Sequence, residues 1–566
     1  MRKTLIAASA LPLLVTLVVA PSVSAQPKLS GEGVEYSVLA ADGVSAATAE
    51  QAVRAAGGTV LQRNDAVGLL TAKAPSNGFT ERLASNRSVL AAARVASIGQ
   101  APDSGKKPRK EADIEKERGN NAAKNKAKKP VGLDPLDEQL WGLKSIRADL
   151  ARDKTIGDKR VKVGILDTGV DASHPDIAPN FDRKLSRNFT KDIPFDELGN
   201  EIDGPCEYRG CVDPADVDNG GHGTHVAGTV AAAANGFGVS GVAPGVSIVN
   251  IRAGQDFGYF FLQPVVDALT YAGDVGLDVV NMSFYVDPWL YNCDNNPADT
   301  AEQKAQQRTI KTAVTRALRY AHRKGVTLVS AMGNDHTDAG NPLPDVTSPD
   351  YPIGTEHTRT IDNATCQSMP SEGPHIINVS SYGPSGAKSD FSTYGLEQIS
   401  VSAPGGYRRD YFGTPWFNSL DNMILSTYPL NVLQAEGFVD AAGNITPAGV
   451  AVGVQKLDRP GAYYRPLQGT SMAAPHTAGV AALIISQYGK FNGGKSGLDP
   501  DKVERVLEGT AFKTPCPTPR TVDYLDEGRP ADWTATCQGD LNFNGFFGHG
   551  AIDAYAAVTN GAKFLK

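Results

Sequence analysis

From about Val131 to the carboxyl end, short apolar runs alternate with segments of helical character, and this alternation constrains the fold more than any other feature. Strands are expected at Val161–Leu166, Ser247–Ile251, Asp278–Ser283, Val326–Ala331, Ile376–Ser380 and Ile399–Ser402. Helices are expected at His222–Ala234, Pro264–Asp274, Ala301–Lys324, Ser471–Tyr488 and Pro500–Glu508. Strands joined by helical crossovers pair in parallel, so the chain from 131 to 566 reads as one α/β unit. Its mainly parallel sheet is covered on both faces, and its functional site lies at the carboxyl ends of the strands. A hydrophobic content of 41% against 21% charged residues fits a globular chain, and not a disordered or multi-span membrane one. The net charge of -7 excludes a strongly basic nucleic-acid binder.

Three segments carry chemistry. Asp167 directly follows the apolar run Val161–Leu166, and Thr168-Gly169 turn the chain away, leaving a carboxylate at the edge of the sheet. A D-T-G sequence also marks aspartic proteases, but these need two such carboxyls sharing a proton; the other D-x-G candidate, Asp103, lies in a charged stretch. His222 sits in Gly-Gly-His-Gly-Thr-His-Val-Ala-Gly. Zinc is disfavoured there because H-E-x-x-H is absent, and His225 reads as a packing neighbour of His222. Ser471, in Gly-Thr-Ser-Met-Ala-Ala-Pro, enters a helical run. A helix amino end offers free N–H groups and a positive dipole to a developing oxyanion.

In order and local sequence the three segments D-T-G, H-G-T-H-V-A-G and G-T-S-M-A-A-P resemble the subtilisin-like serine proteases, from about Gln139 to Val558. The resemblance implies a three-layer α/β fold and a secreted serine endopeptidase that works through an acyl-enzyme. Ser471 would be nucleophile, His222 general base and acid, and Asp167 the group that fixes the imidazole. Asn334, in Ser330-Ala331-Met332-Gly333-Asn334, would donate to the oxyanion. The family's substrate-binding segments match Asp256-Phe257-Gly258 and Ser283-Phe284-Tyr285, with Ala331-Met332-Gly333 as a further wall, and the cleft is expected to bind peptide as an added strand. Tyr285 and Met332 replace smaller residues there, so the pocket is expected to be narrowed or reshaped, and a narrow-specificity processing protease is the alternative reading. A catalytically silent binding scaffold would need a broken triad, and all its residues are present. A structural calcium ion is implied at Gln139, Asp176 and Asn235, with the carbonyls of Ala233, Phe237 and Val239.

Ahead of this unit, residues 26–100 read as a small α+β domain. Strands are expected at Tyr36–Leu39, Gly58–Leu61 and Val67–Thr71, and helices at Ala46–Ala56 and Gly78–Ala84. This domain resembles the ferredoxin-like propeptide that inhibits such proteases until the zymogen processes itself. Residues 101–130 hold ten Lys/Arg against five Asp/Glu and almost no large apolar side chains, so a flexible charged linker is expected. Residues 1–130 carry +8, which leaves -15 for the rest. Arg2 and Lys3, the apolar run Leu5–Ala20 and Val23-Ser24-Ala25 read as a secretory signal over 1–25, with no membrane anchor at the carboxyl end. Six cysteines suit an oxidising compartment. Of fifteen possible pairings, chain order favours Cys206–Cys211, Cys293–Cys366 and Cys516–Cys537, against a metal-ligand role. The expected partners are protein substrates and the chain's own propeptide, with the protease acting as a monomer.

Overall fold

A computed structural model describes residues 33–95, 112–118, 134–491 and 497–566. The expected signal segment 1–25 lies outside these residues, as does most of the expected linker.

The amino-terminal unit runs β1 (Val34–Ala40), α1 (Ala46–Ala55), β2 (Thr59–Asn64), β3 (Leu69–Ala74), α2 (Phe79–Ala84) and β4 (Val89–Arg94). Its antiparallel sheet has the order β2-β3-β1-β4, the ferredoxin-like arrangement. One face covers a core of Val38, Leu70, Val53, Phe79 and Leu83. Leu39, Val67 and Leu69 belong instead to a core shared with the large unit. The strand β4 has no counterpart among the expected elements, because Ala91-Ala92-Ala93 gives no alternation to detect.

The large unit is built on β5 (Lys162–Leu166), β6 (Arg187–Asn188), α3 (His222–Ala231), β7 (Ser247–Arg252), α4 (Leu262–Val275), β8 (Val279–Met282), α5 (Ala301–Arg323), β9 (Thr327–Ala331), β10 (Ile376–Tyr382) and β11 (Val401–Pro404). The strand order is β11-β10-β9-β8-β5-β7-β6, and every pairing is parallel. Alternate side chains enter opposite cores, as a pleated strand demands. Val163, Ile165, Ile248, Val279 and Val329 face one core, which contains α3 and the later Ser471 helix. Leu166, Val249, Val280 and Leu328 face the other, under α4 and α5. The helix α5 starts on a capping box made by Thr300 and Gln303, which satisfies backbone donors its own turns cannot.

Beyond β11 the chain forms a small antiparallel sheet of β12 (Ile424–Thr427), β13 (Gln455–Lys456) and β14 (Tyr463–Leu467), in the order β12-β14-β13. It then enters α6 (Thr470–Tyr488). The three expected disulfides, Cys206–Cys211, Cys293–Cys366 and Cys516–Cys537, are all formed. Among the described residues no helix is long and apolar enough to cross a membrane.

Candidate active site

Asp167, Ser283 and Asn334 follow the carboxyl ends of β5, β8 and β9, which are neighbours in the sheet. His222 opens α3, and Ser471 is the second residue of α6. A residue not singled out in the sequence, Asp218, ties two of these elements together. Its carboxylate accepts from the Gly221 N–H at 2.8 Å, the Thr224 N–H at 2.9 Å and hydroxyl at 2.6 Å, and the Thr168 hydroxyl at 3.0 Å. Gly223 must be glycine, because a Cβ there would stand 2.1 Å from the Gly169 carbonyl oxygen. The turn after Asp167 and the first turn of α3 are thereby pressed together.

Of the expected row, Asp167 and His222 are in direct contact. His222 Nδ1 and Asp167 Oδ1 are 2.7 Å apart, with Asp167 fully buried. Burial raises the Asp167 carboxyl, against the pull of His222. Burial disfavours the imidazolium, but Asp167 and then Glu115 outweigh it and hold His222 well above its ordinary value. Asn334 Oδ1 accepts from the Thr470 N–H at 2.9 Å and hydroxyl at 3.0 Å, which turns its Nδ2 toward the site. His225 is packed inside as expected, its Nε2 against the carbonyls of Ile424 and Arg465 at 3.0 and 3.1 Å. Burial pushes it down to about 3.

No local motif announces what stands between these groups. Glu115, from the segment expected to be a free linker, puts its carboxylate 3.5 Å from His222 Nε2 and 3.5 Å from Asn334 Nδ2, beside Ser471. Ser471 Oγ donates to the Ser283 carbonyl at 3.4 Å, and among the described residues it shares no hydrogen bond with His222. Burial opposes Glu115's charge, but His222, Ser471 and Lys116 prevail and lower its carboxyl. The segment is anchored on both sides of Glu115. Gln468 donates from its N–H to the Glu115 carbonyl at 3.2 Å and from its side chain to the Ile114 carbonyl at 3.0 Å. Lys116 pairs with Glu436 at 2.8 Å, and Glu117 with Arg408 at 2.8 Å and Arg529 at 3.1 Å. The expectation of a free linker is therefore corrected for residues 114–117: their charges find fixed partners in the large unit, and those partners lie hundreds of positions away.

The primary pocket beside Ser471 is lined by Ser283, Phe284, Tyr285, Leu290, Ala331–Gly333, Asp335, Ser368 and Ser371. Met332 is 5% exposed and packs with Ala339 and Ile399. The Tyr285 hydroxyl donates to Asp350 at 2.6 Å. A cleft extends from His222 along Phe257, Gly258, Phe260 and Phe284 to Tyr428, and Phe260 stacks on Phe284 at 4.0 Å. The segment Asp256-Phe257-Gly258 forms the tip of a turn closed by the Gly254–Phe260 bridge, not an open strand edge. Its Phe257 N–H is committed to Asp203 and its Gly258 N–H to Gln255.

The expected calcium ligands are only partly gathered. Asp176 Oδ1 accepts from Asn235 Nδ2 at 3.1 Å, and its Oδ2 accepts from the Val239 N–H at 3.0 Å and the Tyr464 hydroxyl at 2.8 Å. Gln139 Oε1 is turned to Gln455, accepting from it at 2.8 Å. The loop from Ala233 through Phe237 to Val239 is tied down by donors, with the Ala233 N–H on the Asp176 carbonyl at 2.7 Å and the Gly236 N–H on Asp134 at 2.6 Å. A cation needs oxygen lone pairs converging on it. Here hydrogen-bond donors converge on the one carboxylate, so the residues do not fit the ion as arranged.

Comparison with known proteins agrees with this geometry. The model of the subtilase family matches residues 158–550. Subtilisin DY of Bacillus licheniformis is 28% identical over 348 residues, covering 62% of this chain and 85% of its own. Thermitase of Thermoactinomyces vulgaris is 28% identical over 382 residues, covering 67% and 91%. The crystal structure of the epidermin leader peptide processing serine protease of Staphylococcus aureus superposes with a TM-score of 0.60 at 21% identity, covering 93% of this chain and 98% of that one. With the family match spanning most of its length, the chain belongs to the subtilases, the subtilisin-like serine endopeptidases.

Proposed function

We propose that this chain is an exported serine endopeptidase made as a zymogen, in which Asp167, His222 and Ser471 form the catalytic row and Asn334 completes the oxyanion site. The observation that carries the reading is the Glu115 carboxylate. An anion held by Asn334, Ser471 and His222 marks the place where a tetrahedral intermediate would develop its charge. Once Glu115 leaves, His222 Nε2 is free to take the Ser471 proton as the hydroxyl attacks the peptide carbonyl. The Asp167 bond keeps the imidazole in the required tautomer and stabilises it when charged. The imidazolium then protonates the leaving amine, and water repeats the sequence on the ester.

Residues 26–100 are read as the propeptide domain, and 112–118 as the stretch that blocks the cleft before processing. In the unprocessed chain Glu115 competes with substrate for the donors of the oxyanion site. Calcium is not needed by the Asp176 loop, which is held by Tyr464, Asn235 and backbone donors. A narrow processing role is a second reading, favoured by the bulk of Tyr285 and Met332 in the pocket lining. The Staphylococcus aureus neighbour, a leader peptide processing protease by name, is an enzyme of that kind. The deciding experiment is labelling with a fluorophosphonate probe. The processed protein is expected to be labelled at Ser471 and the Ser471→Ala variant left unlabelled; equal labelling of both would remove the reading.

A further inference from the structure

Asp335 directly follows Asn334 and lines the primary pocket together with Ser283, Met332, Ser371 and Ser471. Its Oδ2 lies 3.1 Å from where a Cβ of Gly333, another lining residue, would stand. Its own backbone N–H donates to Thr393 at 3.1 Å. Among the described residues no Lys, Arg or His forms an ion pair with the carboxylate. The charge that acts on it is another acid, Asp345, which is itself paired with Arg359 at 3.6 Å. Besides burial, Asp335, Glu372, Asp345 and Asp338 all oppose ionisation of Tyr291. Burial, reinforced by Asp345, pushes Asp335 up to about 7, the behaviour of a carboxylate short of a counter-ion.

We propose that this pocket is built for a basic side chain, lysine or arginine, on the amino side of the scissile bond, with Asp335 as its counter-ion. The inference rests on the peptidase reading and adds its substrate class. An apolar side chain entering the pocket would strip water from Asp335 and offer nothing in exchange, which is costly for a charge. A cationic one brings the missing partner. The hydroxyls of Ser283, Ser368 and Ser371 supply further acceptors for an ammonium or guanidinium head, and Leu290 and Met332 line the path of its methylene stem.

The test uses the full chain after it has processed itself, with peptides that differ only at this position. Lysine is compared with its neutral isostere norleucine, alongside arginine and phenylalanine. Lysine or arginine is expected to exceed norleucine in kcat/KM by at least about 100-fold. In Asp335→Asn, which keeps the size of the side chain, that ratio is expected to fall to within a few-fold while the melting temperature stays put. A probe independent of any variant is benzamidine, expected to inhibit the unmodified protein competitively where neutral toluene does not. Preference for norleucine or phenylalanine by a protein that labels at Ser471, or a ratio that survives in Asp335→Asn, overturns this inference and leaves the peptidase standing. Absence of both labelling and hydrolysis overturns the two together.

Discussion

Asn334 shows how a single side chain is committed by its neighbours. Both donors of Thr470 hold its carbonyl oxygen, so the amide nitrogen has one direction left. Replacing it by alanine is expected to lower kcat by about 10²- to 10³-fold, as loss of the corresponding asparagine donor does in subtilisin; KM should change little, as steady-state kinetics would show. Glu115 is the opposing residue. Its lowered carboxyl means that its grip is complete above the ordinary glutamate value and weakens as pH falls through the lowered one. His222 is raised, so its share is complete below the ordinary histidine value and is lost as pH climbs through the raised one. In the unprocessed chain, fluorophosphonate labelling of Ser471 should therefore rise on the alkaline side. In Glu115→Gln the imidazolium loses one of its two anions, and the rise should move to lower pH. Labelling rates measured across pH on both chains check the shift, and an unmoved profile would contradict the role given to Glu115. The residues Asp167, His222 and Ser471 were legible because each sits in a local sequence whose glycines and small residues fix its surroundings. Glu115 was not, since every partner that gives it meaning is remote in the chain.

At the level of elements, six of the seven strands of the large sheet were legible from their apolar runs, with boundaries shifted by only a residue or two, whereas β6, the polar pair Arg187-Asn188, was not. The small sheet β12–β14 was not, because its strands mix Tyr, Arg and Ser with apolar residues and take their order from packing over α3. That sheet delivers Tyr464 to Asp176, and its hydroxyl donates at 2.8 Å to the carboxylate that the family resemblance implied as an ion ligand. Chelator should accordingly leave the melting temperature of the processed protein within error of the untreated sample. Tyr464→Phe should lower stability by about 1.5–3 kcal/mol, the range for a hydrogen bond to a charged group, read by denaturant unfolding. A melting temperature that dropped with chelator and recovered with calcium would restore the ion.

Across the whole molecule, the amino-terminal sheet lies on α4 and α5 through Leu39, Val67 and Leu69. Asn64 donates to Asp267 at 2.7 Å, and Arg316 donates to the Ala40 and Val67 carbonyls at 2.9 and 3.0 Å. The segment 114–117 is gripped by Glu436, Arg408 and Arg529 from late in the sequence. The disulfide Cys293–Cys366 closes a separation of 73 residues that includes α5 and β9. In the chain-entropy picture a loop of this size contributes about 4 kcal/mol. Replacing both cysteines by serine should lower the melting temperature by several degrees in a thermal scan, whereas the short loop of Cys206–Cys211 should matter less. Because Asp167, Ser283 and Asn334 hang from three adjacent strands, their spacing is ruled by the pitch of the sheet itself. The loops that choose a substrate are free to diversify without disturbing the ruler, so chemistry and selectivity in this molecule are open to change on separate clocks.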